Sequence, residues 1–341
     1  MSTDSSSQVK VVLGIDVGGT ATNATVLDEH GTFLVDGMVE VPSRVTEGPA
    51  AAEQAIADVI ALVLSKTGID RGRVLAIGLD TPGPANAKGV ISSLGATNFS
   101  DREWWGYDIR AGVEKHLGLP TIYNNDGNAA ALYAHRQLFG EHQYQRSSVS
   151  AIVGTGLGAG VIENGEVVVG SAGMAGELGH IRIPVQDLLA DGQPVPQCNC
   201  GLYGDVESVA SLTGIRKSLL PYWLTQYPDH PLHDMPIEKA AKAVRGYGEN
   251  GDEMALKIFD QQAYALGLLF TIASNFTDPH AYLVGGGVIE AAPGFRDWFL
   301  DKVAVHTSLR AESAAVAQFA LVTDLDMAGA RGAALAALHA I

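Results

Sequence analysis

Two stretches of this chain, one near its start and one near its middle, follow the same plan. In VVLGIDVGGTATNATVLDEHG an apolar run enters a Gly-Gly turn, a Thr-rich run leaves it, and EHG makes a second turn. In SVSAIVGTGLGAGVIENGEVVVG, residues 148 to 170, a GTG turn and then ENG stand in the same places. Alternating apolar runs joined by Gly and Asn turns read as β-meanders, and a plan used twice implies a fold of two related halves. Between and after the meanders the apolar spacing switches to the helical period, as in AAAEQAIADVIALVLSK from Ala50 to Lys66. The remaining readings are strand VLAIGLDTPGP, helix IRAGVEKHLG, strand PTIYNND and a helix from Gly127. Helices over 205–219, 237–246 and 252–276, strand HAYLVGGGV and terminal helix AGARGAALAALHAI complete the chain. Strands mixed with helices in this order predict an α/β protein of two lobes. The expected division, with a boundary near residues 123 to 140, is 1–123 plus 328–341 against 124–327.

Composition narrows the function classes. The 341 residues carry a formal net charge of −16 and no basic stretch. A nucleic-acid partner is not expected, because binding phosphates by counterion release needs clustered Lys and Arg. A long polyanionic substrate is disfavoured for the same reason. No run reaches the ~18 apolar residues of a membrane span, and the polar start MSTDSSSQVK lacks the apolar block of a signal peptide. The expectation is a cytoplasmic protein with no membrane partner.

The glycine clusters invite nucleotide-binding readings, and most fail. G-x-G-x-x-G would need glycine at position 159, which is Ala159, and a strand rather than a helix follows. A G-x-x-x-x-G-K-[ST] loop is absent. What remains is a pair of turns, DVGGT with Asp16, Gly18, Gly19 and Thr20, and GTG with Gly154, Thr155 and Gly156. Either turn alone reads as an ordinary tight turn. Two in equivalent halves, with a third cluster at Gly285, Gly286 and Gly287, favour anion-binding turns whose amides and Thr hydroxyls face phosphate. The stretch QCNCGLYGDVE holds both cysteines of the chain and leaves three readings open: a disulfide, a pair of small core residues, or one edge of a metal clip. Cys-x-Cys spacing makes the disulfide difficult.

Taken in order, DVGGT, NNDGNAAA, GTGLGAG, GELGH, CNCGLYGDVE and LVGGGV resemble the ROK sugar kinases. The resemblance runs from Asp16 to Gly287 and implies an actin-like, ribonuclease H-like ATPase fold with its active site in the interlobe cleft. It implies ATP with Mg²⁺ as cofactor and a hexose as acceptor, with glucose the first expectation. Asp126 would be the general base; its local alternative is a helix N-cap. Asn125, Glu177, His180 and Glu207 would contact sugar hydroxyls with Asp126. Asn98, in GATNF, reads equally as a sugar contact or an ordinary loop residue. Asp16 would orient the magnesium through water, and LVGGGV would lie against the adenosine.

The family's cysteine pattern implies a structural zinc on His180, Cys198 and Cys200, with Asp205 where relatives have a third cysteine. Carboxylate oxygen is a competent zinc ligand, so a four-ligand set survives. Many relatives have lysine after DVGGT, where this chain has Ala21. Relatives are often dimers or tetramers, so a homodimer or homotetramer is expected. Alternative readings are a kinase for fructose, mannose or N-acetylmannosamine, a polyphosphate-dependent kinase, a sugar-responsive repressor, and a non-catalytic sugar binder.

Overall fold

The computed structural model describes residues 9–83, 85–92 and 99–341. Asn98 lies outside the described residues. The strands are β1 Val11–Val17, β2 Ala21–Asp28, β3 Val39–Pro42, β4 Val74–Thr81, β5 Thr121–Asn125, β6 Ser148–Val153, β7 Leu157–Glu163, β8 Glu166–Val167, β9 Ala281–Gly286 and β10 Gln318–Leu321. The helices are α1 Pro49–Thr67, α2 Ile109–Leu117, α3 Asp126–Phe139, α4 Val206–Ala210, α5 Leu212–Gly214, α6 Leu220–Gln226, α7 Ile237–Glu249, α8 Glu253–Thr277, α9 Pro293–His306, α10 Ala311–Ala314 and α11 Ala328–Ala340. Among the described residues no helix is long and apolar enough to cross a membrane.

Two five-stranded mixed sheets carry these elements, with strand orders β3-β2-β1-β4-β5 and β10-β9-β6-β7-β8. Each begins as a meander and then adds two parallel strands beside the meander's first strand. Thus β1 pairs antiparallel with β2 and parallel with β4, while β6 pairs antiparallel with β7 and parallel with β9. The repeated plan of the sequence is therefore a repeated topology. The chain forms two compact units, one of 1–137, 167–175 and 324–341, the other of 138–166 and 176–323. The C-terminal helix α11 belongs to the first unit, as does the start of α3.

In the first unit, α1 buries Ile56, Val59, Ile60 and Val63 on one stripe against a core with Leu13, Ile15 and Ile77. Pro49 begins this helix, and Gly68, in the left-handed region, ends it. The other face of the sheet takes α11 at very short range. A Cβ on Gly14 would lie 1.8 Å from the Ala330 carbonyl, and one on Gly78 equally close to that of Ala333. Gly14 and Gly78 are register partners on β1 and β4, so together they form a slot for the helix backbone. The same contact brings Gly329, in the first turn of α11, against the Asp16 carboxylate.

The second unit is built around the 25-residue helix α8, capped by Asp252 through the Ala255 amide at 2.8 Å. One expectation fails here: residues 205–219 do not form a single helix. The chain turns extended at Ser211 (ψ 163°) between α4 and α5. Ser211 then caps α5 through the Gly214 amide at 3.0 Å. The break has a purpose in the packing, because it frees the Leu212 and Thr213 amides to bond the carbonyls of Gly154 and Thr155.

Candidate active site

The first unit gathers its polar groups at the C-terminal ends of three parallel strands, the usual ligand-facing edge of such sheets. Register sets Asp16 of β1 beside Asp80 of β4, and Asp80 beside Asn124 of β5. Asn23 of β2 lies on the other side of Asp16. Asp80 is fully buried, and no donor among the described residues reaches either of its carboxylate oxygens. Burial first, then the charges of Asp16 and Asp126, push its pKa well above the ordinary carboxylate range. Asp16 is also raised by burial, offset by the neighbouring Asp80 and Asn23 side chains. Two adjoining carboxyls with no basic group between them share a proton, and Asp80, the deeper one, holds it. The first turn of α11 meets Asp16, where the positive end of the helix favours a charged carboxylate.

Asp126 begins α3 and is exposed. Its Oδ1 accepts from the adjoining Gly127 amide at 2.7 Å. Asn125 reaches the same amide from two residues back at 2.8 Å, the geometry of a helix-capping side chain. Capping by Asn125 leaves its Nδ2 as a donor beside Gly83. The DVGGT turn closes through its own Gly18 amide, which bonds the Ala21 carbonyl at 2.9 Å. Gly18 therefore does not present its N–H outward. Thr20 is exposed beyond it.

In the second unit the GTG turn is closed in the same way, Gly154 N–H to Gly156 carbonyl at 2.9 Å. Thr155 remains exposed. Glu207, in the first turn of α4, accepts from the Leu157 amide at 2.9 Å and from the Cys198 thiol at 3.2 Å. Its Oε2 would lie 2.7 Å from a Cβ at position 156, so this turn needs glycine for space. Gly286 needs it twice over, with φ of 96° and the Val153 carbonyl 1.9 Å from where a Cβ would stand. Glu177 is exposed, next to the short 3₁₀ turn Leu178–His180 that carries His180.

His180, Cys198, Cys200 and Asp205 come together, with one ligand atom from each lying within 4.8 Å of all the others. Neither cysteine forms a disulfide. His180 turns Nδ1 inward, 3.4 Å from Asp205 Oδ2 and 3.8 Å from the Cys198 sulfur. Cys200 lies 3.7 Å from that same carboxylate oxygen. Asp205 raises the His180 pKa to about 9, and burial pushes the Cys198 thiol up. A nitrogen, two sulfurs and a carboxylate oxygen at this spacing fit a tetrahedral zinc. The fully buried Asp205 also caps α4, its Oδ1 accepting from Ser208 N–H at 2.9 Å.

Beside the GTG turn is a cavity of about 420 Å³, lined also by Leu212, Ile215, Phe259, Val288 and Phe299, with Gly287 at its edge. Arg245 donates to the Gly287 carbonyl at 2.6 Å and pairs with Glu290 at 2.9 Å.

Within the first unit the structure brings Asp16 and Asp126 each within electrostatic reach of Asp80; within the second it brings Glu207, His180, Cys198, Cys200 and Asp205 into one cluster. Gly154, Thr155 and Gly287 line one cavity, with Gly286 directly beside Val153 of its wall. Asp80 escaped the sequence reading. Its signal was there, since VLAIGLD ends an apolar strand in Asp before a Pro-Gly turn, as VVLGID does before Gly-Gly.

The ROK family profile matches residues 12–340. A glucokinase of Halalkalibacterium halodurans is 32% identical over 82% of this chain and 81% of its own length. An N-acetyl-D-glucosamine kinase of Escherichia coli is 27% identical over 81% of this chain and 83% of its own. Among solved structures, a ROK hexokinase from Thermus thermophilus superposes with a TM-score of 0.74 at 28% identity, covering 97% of this chain and 98% of that one. A ROK glucokinase from Streptomyces griseus, in complex with glucose and AMPPNP, gives 0.67 at 27% identity, covering 96% and 99%. The two mixed sheets are those of the actin-like ATPase fold these kinases share. With a family match over nearly its whole length and that fold beneath it, the chain belongs to the ROK family.

Proposed function

We propose that this protein transfers the γ-phosphoryl group of ATP to a hexose hydroxyl, with glucose as its acceptor. The observation that carries the reading is the exposed carboxylate of Asp126 at the ligand-facing edge of the first sheet, where Asn125 performs the capping. Asp126 acts as general base and takes the proton of the attacking hydroxyl. Asn125, Glu177, His180 and Glu207 present the amide, carboxylates and imidazole that a ring of hydroxyls requires. Glu207 reaches the sugar with one face of its carboxylate already fixed by Leu157.

Gly19 and the exposed Thr20 in one turn, and Gly156 and the exposed Thr155 in the other, bind phosphate, and the cavity beside Gly287 takes the nucleoside. Magnesium bound with the nucleotide neutralises phosphate charge, and Asp16 would orient it through water. Zinc on His180, Cys198, Cys200 and Asp205 would fix the loop that carries Glu207 and orient the His180 ring. All four positions being protein ligands, it would be structural. The half-exposed ring then keeps Nε2 for a sugar hydroxyl.

A coupled ADP-release assay over glucose, mannose, fructose and the N-acetylated hexosamines tests the reading. It predicts turnover that needs a hexose and collapses in Asp126→Asn. Nucleotide hydrolysis that is indifferent to sugar and to this substitution would overturn it. An N-acetylated sugar preferred over glucose would move the chain toward its aminosugar-kinase relatives.

A further inference from the structure

The cavity beside the GTG turn has apolar walls and one deeply buried polar side chain, Gln262 of α8, which is 4% exposed. The other polar side chains on its lining, Thr155, Lys242, Arg245 and Glu290, stand at exposed or half-exposed positions. Gln262 lies one helical turn after Phe259, so the two present an aromatic ring and an amide to the same space. The amide's orientation is fixed by its neighbour. Nε2 donates to the Ala210 carbonyl at 2.6 Å, and that carbonyl can bond only the NH₂ end. Oε1 must therefore point the other way. No donor among the described residues reaches Oε1, and it is not among the sealed, unpartnered atoms of the core. It is an acceptor held open to the cavity.

We propose that Gln262 selects the purine, accepting a hydrogen bond from the exocyclic amine of adenine and rejecting 6-oxo purines. The inference rests on the reading of this cavity as the nucleoside site. Adenine carries an N–H₂ at position 6, which matches an acceptor. Hypoxanthine and guanine carry a carbonyl there, which sets oxygen against oxygen in an apolar surround. A site built for one hydrogen bond rejects the analogue that lacks it, because a desolvated polar atom is left unpaired. The alternative role for Gln262 is a strut between α8 and the end of α4. A strut uses only the Nε2 bond and has no need of an open Oε1.

The test compares ADP with inosine diphosphate by calorimetry on the full protein, and ATP with inosine triphosphate in hexose turnover. ADP should bind about tenfold or more tightly, and kcat/KM should fall at least as much with the 6-oxo nucleotide. In Gln262→Met, which keeps shape but presents no amide, the preference should fall to within about twofold while the KM for sugar is unchanged. Equal affinity of the unaltered protein for ADP and inosine diphosphate overturns the proposal without any variant. A preference that survives Gln262→Met in folded protein does so too. Binding of neither nucleotide would instead remove the nucleoside reading of the cavity, and this inference with it.

Discussion

Asp205 divides its carboxylate between two tasks, Oδ1 capping α4 through Ser208 at 2.9 Å and Oδ2 meeting His180 Nδ1 at 3.4 Å. Where the resemblance to the ROK cysteine pattern implies a third cysteine, this chain has a residue that also starts the helix bearing Glu207. Asp205→Cys should bind zinc more tightly, thiolate being the softer ligand. It should lose about 1 kcal/mol in the metal-free state with the cap. Metal analysis and chemical denaturation with and without a chelator check both halves. Asp205→Ala should lose metal and cap together.

Zinc uptake should release protons. At neutral pH His180, with its pKa raised to about 9 by Asp205, is charged, and the Cys198 thiol is protonated. Each must deprotonate to ligate, so affinity should fall steadily as pH is lowered from 8 to 6. Titration in buffers of different ionisation enthalpy measures the proton count. In metal-free protein the His180–Asp205 pair works in the opposite sense. Its contribution to stability is full below the unfolded histidine pKa of ~6.5 and is lost as pH rises through about 9.

Asp126→Asn should cut kcat by about 10²- to 10⁴-fold, the range for loss of a general base. The side chain is exposed and Asn125 already caps α3, so the melting temperature should be unchanged. Steady-state kinetics with a thermal melt separate the catalytic role from a capping role. A cap would instead show as lost stability.

Asp80→Asn should stabilise the protein above the carboxylate range. In the folded state Asp80 holds its proton while the unfolded chain gives it up near pH ~3.9. The folded state therefore binds more protons, and stability falls as pH rises from the unfolded pKa toward the elevated folded one. The neutral amide has nothing to ionise, so the fall should flatten. Urea unfolding from pH 4 to 8 on both proteins reads this directly.

Three glycines, two in the GTG turn and one at the end of β9, should differ sharply under substitution by alanine. Gly154→Ala meets open space and should cost little. Gly156→Ala forces Glu207 aside and should raise the sugar KM with modest loss of stability. Gly286→Ala collides with the Val153 carbonyl at a left-handed φ and should destabilise by about 3 kcal/mol or more. Parallel denaturation and KM measurements rank the three.

Much of this protein was legible in one dimension. Pro49 and Gly68 bracket a helix whose Ile56-Val59-Ile60-Val63 stripe repeats at the helical period, and the glycine turns at 18–19 and 154–156 end apolar strands. Such signals act over a few neighbouring residues, so the sequence alone settles them. The doubled meander, and with it the repeated topology, belongs to this class.

Other features depend on residues far apart along the chain. Asp16 meets Asp80 only through the register of β1 on β4, and Gly14 with Gly78 makes a slot only once α11 returns from the far end. The break at Ser211 answers to carbonyls at 154 and 155, and an open Gln262 Oε1 exists only because Ala210 holds the other end of the amide. Local propensity fixed which elements form and which chemical groups they carry. Packing fixed which of those groups lost water and which neighbour each received, because burial and pairing are properties of the folded surface and not of any window of the chain.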